Sequence, residues 1–199
     1  MFGLDAVAAK LQRLGRDPGG PEGPEDAPRA AVAAILREGA NGVGAEVLFI
    51  RRAEAPNDLW SGHIAFPGGR RDPIDETLLA TAIRETREEV GMDLSRAELV
   101  ARLPDVPAFK RTKRGMLVVT PFAFVLREEQ TPVPNYEVAG TLWVPLASLA
   151  AGEGAGTYAF TWEDKPYDLP CYRIGPDGHV LWGLTHRMVE TILEAVAKE

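Results

Sequence analysis

Three glutamates and two arginines fall within the eight residues RETREEVG, 84 to 91, and the run stops on a glycine. In a helix, at 100° per residue, Glu85, Glu88 and Glu89 stand at i, i+3 and i+4, so their carboxylates share one face within about 100° of arc. Like charges at that spacing destabilise a helix unless something lies between them. Hard divalent cations such as Mg²⁺ or Mn²⁺ prefer oxygen ligands and remove the repulsion. The competing reading is a solvated, salt-bridged helix face, the ordinary use of such acid and base pairs.

The elements that must aim these groups follow from pattern. A helix is expected over about 77–90, with Leu79, Ile83, Thr86 and Val90 as its core-facing stripe and Gly91 as its end. Asp75 and Glu76 stand at its start, where the macrodipole favours acids. Just upstream, Pro67, Gly68 and Gly69 form a turn, and residues without Cβ let backbone groups come close to an ion or a phosphate. AAVAAIL (30–36) and AEVLFIRR (45–52), joined by a glycine-rich reversal, read as paired strands. AELVARL, GMLVVTPFAFVL and GTLWVPL read as further strands, with Pro121 marking an edge or an irregularity. TYAFTW, CYRI and PDGHVLW supply more strand and turn before a last helix over about 183–197, whose buried face carries Leu184, Met188, Ile192, Leu193 and Val196. Strands before and after each helix point to an α/β (α+β) chain with helices packed on a mixed sheet.

At 199 residues and 45% hydrophobic content, the chain has room for one well-buried core rather than two full domains. Near its start, Leu4, Val7, Ala8, Leu11 and Leu14 keep helical spacing, and DPGGPEGPEDAP (17–28) is too rich in Pro and Gly for a helix or central strand. Residues 1–28 are therefore read as a helix and linker, docked on the body or on a homodimer partner, and 29–199 as the domain. The first segment resembles neither a secretory signal nor a membrane span. A net charge of -7 argues against nonspecific binding to nucleic acid or an anionic membrane, so a phosphate-bearing small-molecule substrate needs local cations. A single cysteine, Cys171, excludes an intramolecular disulfide framework and a cysteine-based zinc site, and fits a reducing cytoplasm.

RETREEVGM satisfies R-E-U-x-E-E-x-G-U, with Thr86 at the usually apolar U, and seven residues separate Glu76 from Arg84. Together with the glycine turn this resembles the Nudix box, the signature of Nudix hydrolases. That pattern puts five residues between its glycine and the first acid. Gly69 and Glu76 are separated by six, so Arg70 holds the strict glycine position and the loop before the helix carries one extra residue. The resemblance implies the Nudix fold, a mixed β-sheet sandwiched between helices, over about 30–195, and hydrolysis of a nucleoside diphosphate linked to another group. It also implies that Glu85, Glu88 and Glu89 hold Mg²⁺ or Mn²⁺ and that the Gly68 carbonyl completes the shell. One of these glutamates, or a Glu from a later loop such as Glu137, takes the proton of the attacking water. Arg84 pairs with another box carboxylate and orients it, and Glu76 is a structural cap or an Arg partner.

For the phosphates, the loop FKRTKRG with Lys110, Arg111, Lys113 and Arg114 is either a clamp or a solvated loop, and Arg51, Arg52, Arg70 and Arg71 compete for the role. His63 is a general acid, a substrate contact or a hydrogen-bonded loop residue. Trp60 and Phe66 either stack a base or pack the core. The approach to the box also resembles the coenzyme A pyrophosphatase branch, whose pattern is H-x-G-Q-x-x-F-P-G-G-x-x-D. Gly62, Phe66, Pro67, Gly68, Gly69 and Asp72 match it, while Trp60 and His63 replace its His and Gln. This likeness implies CoA or acyl-CoA as substrate, with 3',5'-ADP and 4'-phosphopantetheine as products. ADP-ribose, dinucleotides or nucleoside triphosphates stay open as alternatives, as does a Nudix-fold binding or regulatory module without activity.

Overall fold

The computed structural model describes residues 2–17, 28–42, 44–55, 61–112, 115–162 and 164–198. Its centre is β1 (Arg29–Glu38), apolar on both faces and almost wholly buried. Antiparallel to β1 runs β2 (Ala45–Arg52), with Leu36 opposite Val47, as expected from the glycine-rich reversal. Pairing with β2 are β3 (Ile64–Ala65) and β8 (Val138–Pro145). The short β4 (Gly68–Arg70) pairs with the first half of β1. On the other side of β1, β7 (Gly115–Val125) runs parallel and carries β5 (Glu98–Arg102) and β6 (Val106–Thr112) along its far edge. The result is an eight-stranded mixed sheet.

Alternation along β1 feeds two apolar layers. Ala31, Ala33 and Ile35 join Leu48, Phe122 and Phe124 under α2 (Leu78–Val90). Ala30, Ala34 and Leu36 face the opposite layer, where α1 (Leu4–Leu11) and α4 (Gly183–Ala197) contribute Val7, Leu11, Met188 and Ile192. A separate antiparallel sheet of β9 (Ala155–Trp162), β10 (Lys165–Ile174) and β11 (His179–Trp182) leads into α4, and α3 (Leu146–Ala150) follows β8. This is the expected mixed sheet between helices. Helix α1 docks on the body: Lys10 Nζ donates to the Val196 carbonyl at 2.6 Å and the Ala45 N–H to the Phe2 carbonyl at 2.6 Å. No helix among the described residues is long and apolar enough to cross a membrane.

Pro121 marks an irregularity, one of the two alternatives expected of it, and lies inside β7 opposite Val32. Its carbonyl accepts from the Leu103 N–H at 2.9 Å, so its missing N–H faces the break where β7 changes partner from β5 to β6. One detail differs from the sequence reading: on α2 the buried positions are Leu78, Thr81, Ala82, Thr86, Glu89 and Val90, with Leu79 and Ile83 only partly covered. Small Ala82 lets the helix approach β1 closely, which turns it slightly from the expected stripe. Because Leu11 is fully buried, Leu11→Ala is expected to cost about 2–5 kcal/mol, read as a lower urea midpoint with unchanged slope.

Candidate active site

The site begins where two glycines let three pieces of backbone and side chain meet. Pro67 accepts from the Ala33 N–H at 2.8 Å, and Gly68 and Gly69 then pair with Val32 and Ala31. Gly68 has φ +146, and a Cβ there would sit 2.3 Å from the Ala31 carbonyl oxygen. At Gly69 a Cβ would lie 2.5 Å from the Glu85 carboxyl carbon. The pair therefore lies flush on β1 on one side and against a carboxylate on the other. The Gly68 N–H donates to Glu89 Oε2 at 2.8 Å.

Helix α2 starts with Thr77, whose hydroxyl accepts from the Ala80 N–H at 3.0 Å, and ends with Gly91 in the left-handed region at φ +67. Between them Arg84 is a hub. Its Nε and Nη2 grip Asp75 at 2.9 and 2.8 Å, Nη2 also donates to the Arg70 carbonyl at 3.2 Å, and Nη1 reaches Glu88 at 2.9 Å and Glu85 at 3.0 Å. Asp75 is buried and also takes the Thr81 hydroxyl at 2.9 Å and the Asp72 N–H at 2.9 Å. Hydrogen bonds from Arg84 first, opposed by burial, hold the Asp75 carboxyl down at about 2.

A cavity of about 500 Å³ opens beside these groups. Its wall takes Glu85 and Glu89 from α2, Gly68, Gly69 and Arg70 from β4, Arg52 from β2, and Glu137 from the loop before β8. Glu137 arrives because that loop is stitched to the end of α2: Val133 N–H donates to the Val90 carbonyl at 2.7 Å and Asn135 N–H to the Glu89 carbonyl at 2.8 Å. Burial first raises the Glu89 carboxyl to about 7; Gly68 N–H and Arg52 pull it down, while Glu85 and Glu137 push it further up. Glu85 is also raised, by burial first and against Arg84. His63 lines the wall, edge-on to Trp182 with ring centroids 5.0 Å apart. Phe66 packs the core, stacked on Phe49 at 5.1 Å.

The expected convergence of three carboxylates is only partly met. Glu88 points to Arg84 with its side chain 56% exposed, and the cavity wall does not include it. Among the described residues, no three acidic, histidine or cysteine side chains are grouped closely enough to hold a metal ion as they stand. Glu85 and Glu89 nevertheless form a desolvated, oxygen-only pair beside the glycine turn, a donor set suited to Mg²⁺ or Mn²⁺. Arg51 lies outside the wall, paired with Ile64 and Gly140. Lys110 and Arg111 fall on β6, Arg111 opposite Met116, whereas Lys113, Arg114 and Trp60 lie outside the described residues.

A family model described as the NUDIX domain matches residues 27–161. The chain belongs to the Nudix family. Human mitochondrial coenzyme A diphosphatase NUDT8 is 31% identical over 152 residues, 76% of this chain and 63% of that protein. Nudix hydrolase 22, chloroplastic, of Arabidopsis thaliana is 30% identical over 166 residues, 81% of this chain and 53% of that one. The chain thus spans less than two thirds of the length of these curated relatives. The solved MutT NUDIX hydrolase of Burkholderia pseudomallei, 20% identical, aligns with a TM-score of 0.53 over 82% of this chain and 96% of its own, a likeness of fold.

The geometry corrects how the Nudix box is counted. Five residues separate Gly69 from Asp75, and eight separate Asp75 from Arg84, so the extra residue lies at the entry to α2 and not in the glycine loop. Asp75 is the Arg84 partner. Glu76 is neither cap nor partner: its side chain is exposed, and its carbonyl receives only a long contact from Arg71 at 3.4 Å. Gly69, with its carboxylate cradle, takes the strict glycine place that the count assigned to Arg70. The signal for Asp75 was present in the equal five-residue spacing, hidden because the pattern names a Glu.

Asp75→Asn is expected to cost about 3 kcal/mol by leaving Arg84 part-buried and unbalanced, while Glu76→Gln stays within about 0.5 kcal/mol, both from urea unfolding. Glu89 titrates the other way from Asp75. Its folded form holds a proton more tightly than the unfolded chain, so its contribution to stability is complete below pH 4.5 and lost as pH rises through about 7. The Asp75 contribution is present above pH 3.8 and lost as pH falls toward 2. In EDTA, wild type is therefore expected to lose about 3 kcal/mol relative to Glu89→Gln between pH 4.5 and 7.5, measured by paired denaturation curves.

Proposed function

We propose that this chain hydrolyses the pyrophosphate bond of a nucleoside diphosphate derivative in a reaction dependent on Mg²⁺ or Mn²⁺. Its substrate is CoA or an acyl-CoA, cleaved to 3',5'-ADP and (acyl-)4'-phosphopantetheine. The observation that carries the reading is the meeting of Glu85, Glu89 and Glu137 with the Gly68–Gly69 turn on one cavity. The CoA assignment is supported by the F-P-G-G-x-x-D match and by relatives named as coenzyme A diphosphatases.

Glu85, Glu88 and Glu89, with the Gly68 carbonyl, are the groups that would hold the cation. When bound, it supplies positive charge to a pyrophosphate that otherwise repels its nucleophile. The protein's own residues do the rest. Arg84 holds Glu85 and Glu88 in place while Asp75 fixes Arg84. Arg52 and Arg70 in the wall draw the phosphates in, and Lys110, Arg111, Lys113 and Arg114 are further basic groups for them. Glu137 is the base: as water attacks phosphorus, its proton passes to Glu137, the P–O bond to the leaving phosphate breaks, and that oxygen departs as an anion. His63 contacts the substrate from the same wall. A reducing compartment such as the cytoplasm suits the single free, buried Cys171.

Glu85→Gln and Glu89→Gln are expected to lower kcat at least about 100-fold at saturating Mg²⁺, and Glu137→Gln about 10²–10⁴-fold with little change in KM. Full activity in all three variants sinks the assignment. For the substrate, CoA, acyl-CoA, ADP-ribose, dinucleotides and nucleoside triphosphates are compared with Mg²⁺ or Mn²⁺ by product chromatography. CoA compounds are expected to give 3',5'-ADP fastest; equal rates across the panel refute CoA preference, and turnover of none favours a binding module.

A further inference from the structure

The cavity has two chemically different ends. Among the described residues, the charged side chains of its wall come from β2, β4, α2 or the loop before β8, as Arg52, Arg70, Glu85, Glu89 and Glu137. The part between the sheet and α4 is built instead from Val32, Ala108, Leu117, Val119, Leu184 and Met188. Val32 belongs to the apolar layer beneath α4, as do Val119 and Met188. The one hydroxyl on this stretch of α4, Thr185, is committed to the Ile64 carbonyl at 3.2 Å.

We infer that this aliphatic end receives the uncharged pantetheine arm of the substrate, leaving the nucleotide half toward exposed Arg70 and solvent; the inference rests on the CoA reading above. Among the described residues, a phosphate at this aliphatic end meets no charged side chain. One methylene from its phosphate, the pantetheine arm has a carbon bearing two methyl groups, and the arm carries no charge. Its amide carbonyls need donors, and the first-turn N–H groups of α4, which no side chain caps, border the same space. At about 500 Å³ the cavity lies in the lower part of the usual range for ligand pockets, suited to half of a molecule the size of CoA. The same argument disfavours ADP-ribose and dinucleotides, whose second arm is a hydroxyl-rich sugar or another nucleoside.

The test separates the two halves of CoA. Binding of 4'-phosphopantetheine and of 3',5'-ADP to the full chain with Mg²⁺ is measured by calorimetry for wild type and for Leu184→Phe, which fills the aliphatic end. The expected result is at least tenfold weaker binding of 4'-phosphopantetheine, with 3',5'-ADP changed less than twofold. Loss of 3',5'-ADP binding instead reverses the orientation, and loss of neither leaves the aliphatic end unused; both overturn the inference. Independently of any variant, the methyl signal of Met188 in wild type is expected to shift on adding 4'-phosphopantetheine and to stay in place with 3',5'-ADP. The opposite pattern, or no shift with either, overturns it. If CoA is cleaved while these results fail, only the placement is wrong. If CoA is not cleaved and neither product binds, the CoA reading falls with it.

Discussion

Arg84 spreads one positive charge over Asp75, the Arg70 carbonyl, Glu85 and Glu88, and the rest of the site depends on this sharing. Without it, a helix with three glutamates within five residues repels itself and a buried Asp75 lacks a counter-ion. With it, the turn before α2, the glycine strand β4 and the helix are held at one point. The fork of a guanidinium suits this better than an ammonium, because two nitrogens are spent on Asp75 and a third still reaches the glutamates. Glu89 is the carboxylate the hub does not reach. It relies on a single backbone N–H and on the nearby Arg52, which is why burial dominates its titration.

A second dependence runs mainly through backbone. The last turn of α2 leaves carbonyls unpaired, and the chain at Val133 and Asn135 supplies N–H groups to two of them. Glu137 follows within two residues, and its own carbonyl accepts from Ala53 at 2.7 Å, tying it to the end of β2. A glutamate nearly fifty positions from the helix thus becomes its neighbour through helix-end chemistry, with the Asn135 side chain accepting from its N–H at 2.8 Å.

Much of this was legible in the sequence because period and punctuation agree. The paired runs at β1 and β2, the glycine that ends α2, and the bounds of α4 all follow local rules that tertiary packing did not override. The box points to three glutamates but not to which way each turns: i, i+3 and i+4 share a helix face, yet a competing cation at Arg84 takes Glu88 outward. Asp75 was misjudged because one residue of spacing cannot be assigned to loop or helix from a pattern alone. Pro121 was legible as an edge or an irregularity, but that it marks a strand changing partners midway is something no single-strand rule anticipates. The aliphatic end of the cavity had no local signature, since it is assembled from β1, β6, β7 and α4.

The contact of Lys10 with Val196 joins elements 186 residues apart. One layer of the core, and the roof over the aliphatic end of the cavity, therefore waits for α4, whereas β1, the glycine turn and α2 can assemble from the first half of the chain. On a ribosome the carboxylate half of the site takes shape while its other half is still unmade. A chain stalled before α4 exposes the apolar underside of its sheet, and that surface, rather than the charged helix, is what a chaperone or protease meets first.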